Sequence, residues 1–228
     1  SLILIDRAMR LLGEGEISIS LAASDTRKEK KIILNEESRV ADLTSLRFAA
    51  TARNGSEFPP QKISDPRVEK GTLIIIGGGP MPRSVTKRFI QIAGGDQASI
   101  VVLPTAVPDS MVKDSGSIAN AFRKFGAKEV TVLSKRTLSE VDGDEYLQIL
   151  KRATGIWFGG GRQWRFVDAY HDTKALGLMH EVLKKGGVIM GSSAGASIQA
   201  EYLVRGNPLG NQDMMAEGYE KGLGFLKG

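Results

Sequence analysis

The amino-acid sequence predicts an α/β fold, with a three-layer, mainly parallel sheet carrying helices on both faces and a small α+β amino-terminal appendage ahead of it. Three observations support this. Five short apolar runs end in small residues, amphipathic stretches lie between them, and the runs are apolar almost throughout. A strand covered on one face alternates apolar and polar positions, whereas a strand covered on both does not; such strands alternating with helices indicate a parallel sheet.

In chain order, EISISLAAS (Glu16–Ser24) does alternate, and KKIILN (Lys30–Asn35) follows it closely, so the first elements predict a small antiparallel unit. SRVADLTSLRFAATAR (Ser38–Arg53) places Val40, Leu43, Leu46 and Phe48 or Ala49 near helical spacing and predicts one amphipathic helix. NGSEFPPQKISDP (Asn54–Pro66) is rich in Gly, Pro, Ser and Asp and predicts a linker. Residues 1–70 are therefore expected to be an appendage and linker, and residues 71–228 the α/β domain.

Within that domain the expected strands are TLIIIGGG (Thr72–Gly79), ASIVVLPTA (Ala98–Ala106), EVTVLS (Glu129–Ser134), GIWFGGG (Gly155–Gly161) and GGVIMGSS (Gly186–Ser193). RSVTKRFIQIAG, SIANAFRKFGA, GDEYLQILKRA and KALGLMHEVLKKG supply the helices between them.

Composition narrows the chemistry. The 228 residues include no cysteine, which excludes disulfides, thiolate catalysis and cysteine-rich metal sites, and only two histidines, His171 and His180. The formal charge of +5 comes from basic residues interleaved with acidic ones, as in TRKEKK (Thr26–Lys31), which describes a solvated face and not the clustered footprint of a nucleic-acid binder. No run reaches the ~18 apolar residues of a membrane span. The chain opens on Ser1 without an initiator Met, as it would after removal of a leader, and none is visible.

In an open parallel sheet, ligands bind beyond the carboxyl ends of the strands. Three loops are expected there: Gly77–Pro80, Gly159–Gln163 and Gly191–Ala196. The first, GGGPMP, lacks the third glycine of a dinucleotide fingerprint and the Lys-Ser/Thr pair of a P-loop, so a tight turn is the better reading than a nucleotide site. The third matches G-x-S-x-G through Gly191, Ser193 and Gly195, a pattern that can hold a nucleophilic serine at a sharp strand-to-helix elbow with helix N–H groups behind it. The motif alone leaves a packing role for the small residues equally open. Ser192 is the weaker nucleophile, since a frame shifted by one loses a flanking glycine.

GSSAGAS after an apolar strand, GIWFGGGRQWRF about thirty residues earlier, IVVLPTA before that and the terminal GLGFL together resemble the cyanophycinase branch of the S51 serine peptidases. These are relatives of dipeptidase E with a fold similar to class I glutamine amidotransferases. The resemblance covers roughly residues 71–228. It implies that Ser193 is the nucleophile, with Ser192 in place of the usual threonine. The family's G-G-D-Q segment falls on Gly160, Gly161, Arg162 and Gln163. The implied oxyanion donors are the N–H of Ala194 and one from Gly160 or Gly161, and Gln163, Arg162 and Gly79 are the expected substrate-binding residues. Arg162 departs from the family aspartate, which weakens the case for the β-Asp-Arg units that cyanophycinases cleave.

The family also carries a catalytic histidine in D-Q-H-F a few residues after G-L-G-L-L. Here GLGFLKG closes the sequence at Gly228, neither His171 nor His180 matches, and the domain is expected to be truncated at its carboxyl end. His180 is expected to pack on a helix face and His171 to end a helix. The acid that orients the histidine is expected in NPLGNQDMMAEGYEKG, at Asp213, with Glu217 next and Asn211 a further option; the competing reading is solvated loop polars.

The expected function is a serine-type exopeptidase or isopeptide hydrolase that needs neither metal nor organic cofactor. The alternative is a non-catalytic protein of the same fold that recognises a small anionic ligand, with a nucleotide-dependent enzyme a weaker rival. The expected partner is a peptide or isopeptide substrate, with no nucleic acid and no membrane, and a homodimer is compatible with this reading. Localisation lies between bacterial cytoplasm and export, with export preferred.

Overall fold

The structure, a computed structural model, describes every residue except 61, 63, 211 and 212, and the backbone alone at 113 and 114. Contacts divide the chain into two units, Ser1–Ile63 with Val204–Glu220 and Ser64–Leu203 with Lys221–Gly228. Segment Val204–Glu220, expected with the second domain, packs with the first.

The first unit runs β1 (Leu2–Ile5), β2 (Ala8–Leu11), β3 (Ile17–Leu21), β4 (Lys30–Leu34), β5 (Val40–Asp42) and α1 (Leu43–Arg53). β3 and β4 form the antiparallel pair that the alternation predicts, with Ile19 opposite Ile32. β1, β2 and β5 make a separate three-stranded antiparallel sheet that has no counterpart in the sequence reading. The predicted helix is shorter than expected, because Val40–Asp42 is strand. Asp42 caps the helix by accepting the Ser45 N–H at 2.7 Å, which satisfies one of the donors that a helix start leaves without a partner. Arg7 Nη2 donates to the same carboxylate at 2.9 Å.

Leu11, Leu34 and Ala41 form the small apolar centre of this unit, with Leu46 of α1 packed on it. Segment Val204–Glu220 adds Tyr219, whose ring meets Phe48 edge-on at 5.2 Å, and Glu217, whose carboxylate sits against Arg53 with Arg27 and Lys30 each 3.7 Å away. The Arg53 side chain is 6% exposed and that of Glu217 12%.

The second unit runs β6 (Thr72–Ile76), α2 (Arg83–Ile92), β7 (Ser99–Leu103), α3 (Gly116–Lys124), β8 (Glu129–Val132), α4 (Leu138–Val141), α5 (Asp144–Arg152), β9 (Gly155–Phe158), α6 (Trp164–Tyr170), α7 (Lys174–Lys184), β10 (Val188–Ser192) and α8 (Ala194–Ser197). The five predicted strands form one parallel sheet in the order β6-β10-β9-β7-β8. Because successive side chains alternate across a sheet, each strand supplies two cores. Ile100, Val102, Val130, Trp157, Val188 and Met190 pack with Phe89 of α2 and Phe122 of α3. The alternate residues Val101, Leu103, Ile156, Phe158 and Ile189 are equally buried, and α5 and α7 contact β7 and β10. This double burial is why the strands read as continuous apolar runs.

The strand order brings the carboxyl ends of β6, β10 and β9 side by side. A terminal strap, Lys221–Gly228, folds onto the segment after α8. Leu223 N–H donates to Ile198, Gly224 to Ala200 and Leu226 to Gln199, at 2.8, 3.1 and 2.9 Å.

The ion cluster gives a direct test of what Glu217 does. Removing one member of a buried pair strands its partner's charge, whereas replacing both by apolar residues is close to neutral. Glu217→Gln should cost about 3 kcal/mol in denaturant unfolding, and the double change Glu217→Met with Arg53→Met should recover most of that loss.

Candidate active site

β10 ends in the sequence Gly191, Ser192, Ser193, and its ladder with β6 continues one residue further: the Ser193 N–H donates to the Ile76 carbonyl at 2.9 Å. The chain then turns sharply into α8. Ser193 stands at φ 54° and ψ −115°, a left-handed conformation that side chains rarely adopt and that costs about 1–3 kcal/mol. Ser193 is exposed, Ser192 is half-buried, and Ala194 and Gly195 are buried.

Packing accounts for the small residues around it. A Cβ at Gly191 would lie 2.0 Å from the Gly195 carbonyl oxygen, and a Cβ at Gly195 would lie 2.0 Å from the Phe158 carbonyl oxygen. Neither space admits a side chain. The two readings of G-x-S-x-G are thus compatible, since the glycines permit close packing and that packing holds the exposed serine in its strained turn.

The neighbouring loop, after β9, comes up against this turn. A Cβ on Gly160 would be 3.4 Å from Ser193 Cβ and 4.0 Å from its Oγ, so the Gly160 backbone borders the hydroxyl. Gly161, at φ 141°, presses on Ala106, whose carbonyl accepts the Arg162 N–H at 2.9 Å and Arg165 Nη1 at 2.8 Å. Ala106 is therefore the fixed point of the loop. It was not among the sequence candidates; the signal was the small residue closing IVVLPTA after its strand. Thr105 beside it is fully buried and shares a hydrogen bond of 2.7 Å with the Tyr170 hydroxyl, which also meets that of Tyr146 at 2.9 Å. Burial raises the pKa of both phenols above the ordinary value, so they remain neutral hydrogen-bonding groups.

Among the remaining candidates, Arg162 is exposed, while Gln163 is half-buried and precedes α6 with its carbonyl accepting the Phe166 N–H at 3.0 Å. Gly79 is exposed at φ 79° in the loop after β6. Asp213 belongs to the first unit, where it is exposed and accepts from the Asn207 side-chain amide. Glu217 belongs to the ion cluster described above, and Asn211 lies outside the described residues. No group of three or more His, Asp or Glu that could hold a metal ion occurs among the described residues. No helix among them is long and apolar enough to cross a membrane.

Both histidines bind the strap. His171, the residue that ends α6, donates Nε2–H to the Gly222 carbonyl at 3.1 Å. His180 donates Nε2–H to the Leu223 carbonyl at 2.9 Å and packs its ring on Phe225 with centroids 4.7 Å apart. Burial lowers the pKa of each imidazole below the ordinary value, against the opposing pull of these carbonyls. A depressed folded-state pKa means that the unfolded chain takes up the proton first, so the stability is full above the ordinary value of about 6.5 and is lost as pH falls below it. Denaturant unfolding between pH 7.5 and 5 should show that loss, and His171→Gln, which keeps a donor but does not titrate, should flatten the slope.

Residues 73–228 match the model of peptidase family S51. The cyanophycinase of Synechococcus elongatus is 34% identical over 141 residues, which make up 59% of this chain and 43% of that protein. The cyanophycinase of Geminocystis herdmanii is 26% identical over 145 residues, 62% and 53% of the two lengths. The chain thus spans about half the length of these relatives. The crystal structure of a peptidase from an acI-B1 actinobacterium has the same fold, with a TM-score of 0.57 and 22% identity over 68% of this chain and 65% of that one. The family match from Leu73 to the last residue and the parallel sheet that it spans lead to one conclusion: the chain belongs to peptidase family S51.

Proposed function

We propose that this chain is a serine-type hydrolase that cleaves a peptide or isopeptide bond, with Ser193 as nucleophile. The observation that supports it is the strained, exposed Ser193 at the end of β10, bordered by the Gly160 backbone. A fold does not hold a non-glycine residue at φ 54° without surrounding structure that fixes it there, and here that structure presents one hydroxyl.

Ser193 Oγ attacks the scissile carbonyl, and its proton passes to a base. The oxyanion accepts the N–H of Ala194, the first residue of α8 and so without an acceptor inside the helix, together with that of Gly160 or Gly161. Donors of this kind are worth about 3 kcal/mol each in the transition state. The tetrahedral intermediate expels the amine, which takes up the proton. Water then attacks the acyl-serine, releases the carboxylate and restores the hydroxyl. His171 and His180 have their Nε2–H groups committed to the strap, so neither is assigned as the base.

That commitment of both histidines also favours a second reading, a non-catalytic protein that uses the same crevice to recognise a small anionic ligand through Arg162. Covalent labelling separates the two. A fluorophosphonate should label Ser193, and Ser193→Ala should abolish both labelling and hydrolysis while changing unfolding by less than about 0.5 kcal/mol, because the hydroxyl is exposed. Ser192→Ala should be far milder; equal loss from both changes would mean that the small residues serve packing alone.

Cyanophycinase-like relatives suggest isopeptide substrates, and Arg162 modifies that expectation. A guanidinium at the loop beside Ser193 should disfavour a cationic arginine side chain and favour a free carboxylate. The chain should therefore cleave β-Asp-Arg about tenfold less efficiently than acidic or neutral isopeptides, which corresponds to ~1.4 kcal/mol of differential binding. Arg162→Asp should reverse the order in kcat/KM. Efficient β-Asp-Arg cleavage by the unmodified chain would mean that Arg162 points away from the substrate.

A further inference from the structure

Gln199 is fully buried two residues beyond the end of α8. Its backbone N–H donates to Ala196 at 3.2 Å, one residue short of α-helical spacing. The Gly195 carbonyl is thereby left without the acceptor role that a longer helix would give it, and the Gln199 side chain fills the gap, with Nε2 donating to Gly195 at 3.0 Å. The same Nε2 lies 3.4 Å from the Ile74 carbonyl of β6. It also closes the space beside Gly191, where a Cβ would come within 2.9 Å of it. The carboxamide therefore joins α8 to β6 beneath the turn, while the Ser193 N–H joins the turn itself to Ile76 of the same strand. Ser193 is thus one of the two attachment points, and Gly195, two residues on, is the other. The other end of the side chain gains little: among the described residues Oε1 is buried without a hydrogen-bond partner, a cost that an apolar residue of similar shape would avoid. What such a residue could not supply is the N–H.

We propose that Gln199 is a positioning residue for Ser193, its amide donor fixing the first turn of α8 so that the serine stays strained and its hydroxyl and the Ala194 N–H keep their relative placement. This rests on the reading of Ser193 as nucleophile. Gln199 touches no substrate. It acts on the acylation step through the backbone, so its loss should lower the rate of serine acylation and leave reversible substrate binding nearly unchanged.

The test is the rate of Ser193 acylation by a fluorophosphonate, per folded molecule, in the unmodified chain, Gln199→Met and Gln199→Glu from pH 5 to 8. Gln199→Met keeps the shape and removes the donor, and should slow labelling about tenfold, the effect of one buried acceptor left unpaired, with KM for an isopeptide substrate unchanged. Gln199→Glu distinguishes positioning from general stability. A buried carboxyl titrates above its ordinary range, and only its protonated form donates to Gly195. The rate relative to the unmodified chain should be low at pH 8 and rise as pH falls. If Gln199→Met does not fold, the pH course of Gln199→Glu decides alone. Labelling of Gln199→Met at the unmodified rate, or a Gln199→Glu ratio that does not change with pH, overturns the proposal while leaving Ser193 as nucleophile. An unmodified chain that does not label at Ser193 removes the nucleophile reading and this one with it.

Discussion

The approach of Gly195 to the Phe158 carbonyl, too close for any side chain, is the constraint on which the candidate site depends. It presses α8 against β9, and with Gly191 equally tight against Gly195 the chain leaving β10 has one way to turn. The strain then falls on Ser193, which is the residue between them that reaches solvent. The parallel sheet makes this possible: with β10 between β6 and β9, one neighbour holds the serine N–H and the other brings Gly160 beside its hydroxyl. The placement of this hydroxyl is a consequence of backbone packing, with few side chains involved.

The sequence was most legible where burial is most complete. Val101, Val102, Ile156 and Val188 lie in a sheet covered on both faces, so continuous apolar runs marked the five parallel strands without ambiguity. The start of α1 was harder. Val40 continues the helical spacing of Leu43 and Leu46, yet its backbone pairs with β2, and the decisive residue is Asp42, whose carboxylate accepts the Ser45 N–H. β1 left no readable signal: Leu2, Ile3, Leu4 and Ile5 are all exposed and apolar, so no alternation exists to read.

Within the site, glycines and serine were visible because few residue types fit such turns, and the resemblance assigned their roles. Ala106 and Gln199 were not visible. Ala106 acts through its carbonyl, which every residue has, and Gln199 lies in a short stretch where a buried amide and a solvated one look alike. The acids of NPLGNQDMMAEGYEKG illustrate the opposite difficulty. Their side chains were plain, but which cations they meet depends on residues far earlier in the chain. Glu217 meets Arg53 and Glu220 meets Arg27, separations of more than 150 residues.

Those long separations bear on how the protein is made. The first unit is assembled from two separate segments, Ser1–Ile63 and Val204–Glu220, with the entire parallel sheet encoded between them. As the chain emerges during synthesis, Arg7, Arg27 and Arg53 are exposed long before Tyr219, Glu220 and Glu217 exist to receive them. Domains usually fold in the order in which they are synthesised. Here the unit whose strands precede the parallel sheet is completed only after β10 and the Ser193 turn have left the ribosome, and a fragment ending at residue 63 would keep Arg7 on Asp42 but lose the Tyr219 phenol and leave Arg27 and Arg53 without Glu220 and Glu217.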